Sequence, residues 1–494
     1  MTDSARLKGN VLGTAGVALM VIAAAAPLSV LAGVAPLALS IGGIGTPVVY
    51  LVAGAVLGLF AVGFIAMVPF VRSTGGFYGF IAAAFGRRAG VGAAIVAVVS
   101  YNALQIGLYG LLGAQASLMF RNLFGWDVPW ILPVLATIAV VWFLGFRGIN
   151  TGARVLALVL AAETAILALL AAAILFRGGA NGIGLESFSP EAIFAPGMAV
   201  ILTVAFAAFL GFESTALYRE EARNPNRTIP RATVVAIAFL ALFYSFITWS
   251  IVQGFGAAEV QAIAGEELEG LFFGAMEIYL GPWASAAMSI LIVISIFASQ
   301  LAIHNANNRY CYSLAKDAIL PPLFGKVHPT FRTPYVAGLL QSALALVIVL
   351  SFAAADADPF LQLMLWINSP GLVGISSLQA LTAIGAVVFF AKRRSSDSRP
   401  AVIICSAIAA LCLIATTTTL ILTLATFTNA DFGTNAVFVA ITPLSFLLGF
   451  LFLGRPKRAA AVLPDQPGTE PRETSASDAS PKDVSRNGAS QPKP

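Results

Sequence analysis

The feature that most limits this chain is the recurrence of long apolar runs from Val11 almost to Gly454, within 494 residues. Each is long enough to cross the ~30 Å hydrocarbon layer of a bilayer, which takes about 20 helical residues. A backbone in lipid must satisfy its own N–H and C=O groups, so repeated runs of this length mean a helix bundle and not a barrel. The first run exceeds the 7–15-residue apolar core of a signal peptide, and similar runs keep following it, so it reads as the first span. Only 10% of the residues are charged, against roughly 25% in soluble domains, and the mean hydropathy is +0.89. Such a chain cannot cover itself with a polar surface.

About twelve spans are expected, at 11–39, 47–71, 89–119, 129–147, 150–176, 197–218, 231–255, 282–313, 334–354, 359–391, 401–427 and 435–454. With the N-terminus taken as cytoplasmic, 26 of the 28 Lys and Arg residues fall on that side, leaving Arg121 and Arg177 outside. Positive residues stay on the cytoplasmic side during insertion, so both termini are expected in the cytoplasm of a cell inner (plasma) membrane. The net charge of +5 then reports topology, and no nucleic-acid partner is expected. The expected organisation is a cytoplasmic N-terminal tail over 1–10, a membrane domain over 11–455 and a disordered cytoplasmic C-terminal tail over 456–494. That last stretch is polar and lacks hydrophobic periodicity. The acidic segment 257–280 is expected outside, with a short surface helix.

Of 23 Asp and Glu residues, all but Glu163 in span 5 and Glu213 in span 6 fall in loops or tails. Each of these two costs about 2.5–3.5 kcal/mol at mid-bilayer, so each must face a cavity or a partner. Both are candidate coupling or gating groups; the plainer alternative is a structural hydrogen-bond acceptor. Glu213 follows Phe206-Ala-Ala-Phe209-Leu-Gly211-Phe212. Glycine inside a helix costs ~1 kcal/mol against alanine, and a discontinuous helix explains its place between aromatics and an acid. Freed amides and carbonyls at such a break become ligands near the membrane midplane.

Span 1 carries a second candidate break, four alanines leading into Pro27, Leu28 and Ser29. Proline removes a donor and clashes with the preceding turn. A third is read in span 10 at Trp366-Ile-Asn368-Ser-Pro370-Gly371. The expected substrate cavity is lined by Ala25, Ala26, Pro27 and Leu28 of span 1, Asn102 and Gln105 of span 3, and Phe206, Phe209, Gly211 and Phe212 of span 6. Span 3 also carries Tyr101, and span 8 carries Ser295, Ser299, Gln300, His304 and Asn305; interhelical hydrogen bonds are the simplest account of these.

Several motifs carry nothing. Gly42-Gly-Ile-Gly45 lacks the strand–turn–helix context of a nucleotide site, and Asn226-Arg-Thr228 is a sequon by letters on the cytoplasmic side. Three cysteines without paired spacing suggest neither disulfides nor a metal. Two histidines without HExxH, and no GxSxG elbow, leave no enzymatic apparatus to name. No enzyme activity, cofactor or metal is expected.

Gly211-Phe-Glu213 followed by Glu220-Glu-Ala-Arg-Asn224-Pro225-Asn-Arg227-Thr-Ile-Pro230-Arg231-Ala resembles the signature of the amino acid–polyamine–organocation permeases. Arg309 with Leu314-Ala-Lys316-Asp317-Ala-Ile-Leu-Pro321, and Val327-His-Pro329-Thr-Phe-Arg332-Thr-Pro334, resemble that family's loop after span 8. Ser73-Thr-Gly75-Gly76-Phe-Tyr78, leading to Phe85-Gly86, is similar to its approach to span 3. The matches fall in the expected order across most of residues 11–390.

The resemblance implies an all-α polytopic membrane protein with a five-plus-five inverted repeat in spans 1–10 and broken helices 1 and 6. Spans 3, 8 and 10 would complete the cradle, with spans 11 and 12 peripheral. It implies a secondary active transporter of an amino acid or related amine, working by alternating access, with the loop signatures in gating or packing roles and a turn at Asn224 and Pro225. Family members often hold the substrate carboxylate on a Gly-x-Gly break in span 1, where this chain has Ala26-Pro27-Leu28. Proline cannot donate, so an amine or polyamine exchanger stays open.

Proton coupling is expected over sodium. The span-8 stretch Ile296-Phe-Ala-Ser299-Gln-Leu-Ala lacks an adjacent hydroxyl pair. Glu163, fifteen residues beyond Gly148, falls near where some proton-coupled relatives carry a lysine in place of sodium; a carboxylate reverses the sign of that lysine, so Glu163 either exchanges a proton itself or attracts a cation. The expected partners are a small-molecule substrate, protons and the lipid bilayer. A non-transporting sensor or accessory subunit on the same fold is the reading from another class, and the mid-span carboxylates and helix breaks favour transport over it.

Overall fold

Among the described residues, eleven helices are long and apolar enough to cross a membrane. The expected span 4 is a further apolar helix, Ile131–Arg147, of 17 residues, at the short edge of the range that crosses a bilayer. The computed structural model describes residues 11–71, 76–219, 221–268, 270–393 and 400–453, with the backbone alone over 149–155 and 452–453. The tails expected at 1–10 and 456–494 lie outside the described residues, as do Glu220 and the Ser73-Thr-Gly75 portion of the quoted motifs.

Span 1 runs through Thr14–Ala25, Pro27–Gly33 and Ala35–Gly42, and a turn at Gly43–Gly45 leads into span 2, Thr46–Met67. Span 3 is Arg87–Phe124, and span 5 is Ile149–Phe176, separated from span 4 by Gly148 alone at φ 109°. Span 6 covers Met198–Tyr218 and span 7 is Pro225–Phe255. Spans 8 to 12 are Pro282–Lys316, Tyr335–Ala354, Pro359–Lys392, Pro400–Leu422 and Phe432–Leu451. The acidic segment holds two short helices, Val260–Glu266 and Leu271–Leu280, where one was expected.

Spans 3 and 8, at 38 and 35 residues, run more than 50 Å at ~1.5 Å per residue. They exceed the hydrocarbon thickness and meet near their middles. Outward faces carry exposed Leu158, Val347, Leu411 and Leu444, an apolar belt that only lipid covers cheaply.

Span 10 differs from expectation. A π turn over Pro359–Met364 opens it, and the α-helix Leu365–Lys392 then runs through Pro370 without a break. The Ser369 hydroxyl donates to the Leu365 carbonyl at 2.7 Å, one turn back along the same helix. Gly371 lies so close to span 3 that a Cβ there would come within 2.8 Å of the Leu104 side chain. Packing against a straight neighbour holds the turn in helical form.

Candidate functional site

The two breaks expected in spans 1 and 6 are present, and they face each other. In span 1 the helix stops at Ala25, and Ala26 turns left-handed at φ 46°, ψ 70°. Pro27 restarts the helix as its first residue, where its missing N–H costs nothing. The freed Ala24 carbonyl accepts the Ser299 hydroxyl at 2.6 Å, and the Ala25 carbonyl accepts from Tyr244 Oη at 3.5 Å. In span 6 the α-helix ends at Ala208, Gly211 turns at φ 110°, and the 3₁₀ segment Phe212–Tyr218 follows. A Cβ at Gly211 would lie 3.3 Å from the Ala24 side chain across the gap.

Each break has its own buried carboxylate. Glu213 folds back so that the Gly211 N–H donates to Oε2 at 3.1 Å and Oε1 at 3.3 Å. Tyr101 Oη of span 3 donates to the same Oε1 at 3.1 Å. Glu163 reaches the other break from span 5. The Ser295 hydroxyl of span 8 donates to Glu163 Oε2, the Leu28 backbone N–H faces the same carboxylate, and Ser29 Oγ donates to Ser295 Oγ at 3.2 Å. Three separate spans therefore meet at Glu163. Among the described residues, neither carboxylate is paired with a cation.

A cavity of about 200 Å³ lies between the breaks, far more than the ~30 Å³ that one water takes in the liquid. Of the residues expected on its wall, Ala25, Ala26 and Gly211 are there, whereas Pro27, Leu28, Asn102, Gln105, Phe206, Phe209 and Phe212 are not. Leu28 and Phe206 are buried in the packed core. Phe209 packs on Tyr244 at 6.0 Å and Phe212 on Phe60 at 5.7 Å between ring centroids. Asn102 Nδ2 turns back to the Val98 carbonyl at 2.8 Å, and Gln105 Nε2 points at His304 Nδ1, 3.5 Å away.

The wall instead includes Ser29, Tyr101, Thr203, Ser299, Asn368 and Ser369. Ser29 and Asn368 stood inside stretches flagged as breaks; Thr203 carried no signal. Leu420, Leu424 and Phe427 also line the cavity, so the end of span 11 is not peripheral. Span 11 packs against spans 2 and 10, which brings its last turn and the short helix Leu424–Thr428 over the gap.

Toward the end of the bundle where Val11 lies, side-chain and backbone bonds tie the loop after span 6 to its neighbours. Arg309 grips Glu221 with Nε–Oε2 at 2.6 Å and Nη2–Oε1 at 3.0 Å, both side chains at most 4% exposed. This bidentate pair joins the loop signature after span 6 to span 8. Arg309 also lies over the Tyr218 ring at 5.3 Å. The Val11 and Leu12 amides donate to the Glu221 carbonyl, and the Arg223 amide to the Leu12 carbonyl, pairing Leu12 with Ala222 in an isolated parallel bridge. A turn was expected at Asn224 and Pro225; instead Asn224 is the N-cap of span 7 and Pro225 its first helical residue, where proline's missing N–H costs nothing.

The sequence model for amino acid permeases matches residues 12–447. The chain is 26% identical over 284 residues to the serine/threonine exchanger SteT of Bacillus subtilis strain 168, covering 57% of this chain and 62% of that protein. It is 24% identical over 300 residues to a methylthioribose transporter of the same organism, covering 60% and 57%. It is 29% identical over 177 residues to the L-methionine/branched-chain amino acid exporter YjeH of Escherichia coli K12, covering 35% and 40%. Each alignment thus spans less than two thirds of the relative's length.

Proposed function

The chain belongs to the amino acid permease family, and from that premise we propose that this multi-pass membrane protein is a secondary active transporter of an amino acid or related amine. It works by alternating access in the plasma membrane, with both termini in the cytoplasm, and couples uptake to protons. The observation that carries this reading is the meeting of two helix breaks across a cavity, at Ala26 and Gly211. Interrupted helices in a bilayer leave backbone groups that need a ligand or water. The ties at Tyr101–Glu213, Arg309–Glu221 and Leu12–Ala222 support a state closed at the N-terminal end, which alternation must open.

Proton coupling rests on Glu163. A carboxylate buried without a cation is costly as an ion, and a bound proton or metal cation removes that cost. Its partners are a hydroxyl and an amide. Its link to Ser295 and Leu28 ties the state of one carboxyl to the span-1 break. In proteoliposomes, replacing sodium by choline at fixed pH leaves uptake intact, and a protonophore abolishes accumulation. Loss with choline and persistence with the protonophore assigns coupling to sodium.

A further inference from the structure

The chemistry of the cavity wall narrows the substrate. Among the described residues, the wall carries no Asp, Glu, Lys, Arg or His side chain. It is aliphatic from several sides at once, with Leu104 of span 3, Val204 of span 6, Leu372 of span 10 and Leu424 beyond span 11. Its hydroxyls are already committed to the protein: Ser29 to Ser295, Thr203 to the Val200 carbonyl, Ser299 to the Ala24 carbonyl. Asn368 Oδ1 has no partner, but it is buried against span 3, where a Cβ at Gly107 would come within 2.3 Å of it. Polar capacity is therefore scarce and sits where the helices are broken.

We infer that the cavity accepts an amino acid with an uncharged, bulky apolar side chain, and excludes basic and acidic amino acids and diamines. This rests on the transporter reading above and names its substrate class. The head group is held at the breaks, by the backbone groups freed around Ala26 and Gly211. The side chain lies on the aliphatic wall. A guanidinium, second ammonium or second carboxylate placed there loses its hydration among aliphatic side chains, and the carboxylates of Glu213 and Glu163 stand behind the wall, engaged by Tyr101, Gly211 and Ser295. Each methylene moved from water onto such a wall is worth roughly a fourfold gain in binding, so leucine, with three more side-chain carbons, outcompetes alanine by on the order of 60-fold.

The test uses the full chain in proteoliposomes with an imposed proton gradient and labelled leucine, methionine, alanine, arginine, glutamate and putrescine, each in turn. Uptake of leucine and methionine, weaker alanine and none of the charged three is the expected result. Uptake of arginine, glutamate or putrescine without leucine overturns the substrate class and leaves the transporter reading standing. Uptake of none of the panel overturns both. The Ala207→Leu variant adds side-chain volume to the wall and lowers the leucine-to-alanine uptake ratio at least about tenfold, a readout that poor folding does not move. An unchanged ratio in a folded variant removes the wall from side-chain selection.

Discussion

The two breaks solve one problem in opposite ways. At span 6 the solution is local: Gly211 provides the turn, and Glu213, two residues on, receives the freed amide. At span 1 it is distributed. Ala26 takes a positive φ of 46° despite a cost of roughly 1–2 kcal/mol for a residue with a Cβ. The groups around it are held by Glu163 of span 5, Ser295 and Ser299 of span 8 and Tyr244 of span 7. A break held by its own span can persist while neighbours move. A break held by three others must feel any shift among them, which makes it the better place to couple an ion to a conformational change.

The sharpest way to break this contrast is at the two carboxylates. Glu163→Gln keeps a hydrogen-bonding group but cannot release a proton, so accumulation falls by at least about tenfold, the factor one pH unit supplies. Counterflow exchange in the same vesicles continues. Glu213→Gln accumulates substrate but has a flatter pH profile, because it alters a gate held within its own span. Equal loss of accumulation and exchange in folded Glu163→Gln would make both carboxylates structural and erase the distinction.

A smaller effect separates the turns themselves. Gly211→Ala puts a side chain at φ 110°, 3.3 Å from Ala24, and costs about 2–3 kcal/mol, visible as a lower melting temperature in detergent. The smallest is Ala26→Gly, where relief of the left-handed strain and the added freedom of glycine nearly cancel. Stability there stays within about 1 kcal/mol, and transport persists. A large loss at Ala26→Gly would show that the methyl group, not the surrounding spans, holds the span-1 break.

The difference between local and distributed encoding also explains what could be read in advance. The helix count, the fold class and both breaks were legible because apolar length, proline and glycine act within a few residues of where they stand. The face that each side chain presents was less legible. Phe209 and Phe212 flank the break in sequence yet turn to Tyr244 and Phe60, since a broken helix no longer obeys one periodicity. Pro370 reads as a break, but close packing against Leu104 keeps its turn helical. Leu424 and Phe427 look like lipid-facing residues until span 11 is seen lying across spans 2 and 10.

The pairing of Leu12 with Ala222 sets a rule for handling the protein. Whatever is fused to the N-terminus pulls on the exit of span 6, because the two strands share three backbone hydrogen bonds with Glu221 and Arg223. A bulky fusion partner joined directly at Val11 would work against that seam. By the same logic, a small fluorophore at Gly13 reports the movement of the span-6 exit without entering the substrate cavity.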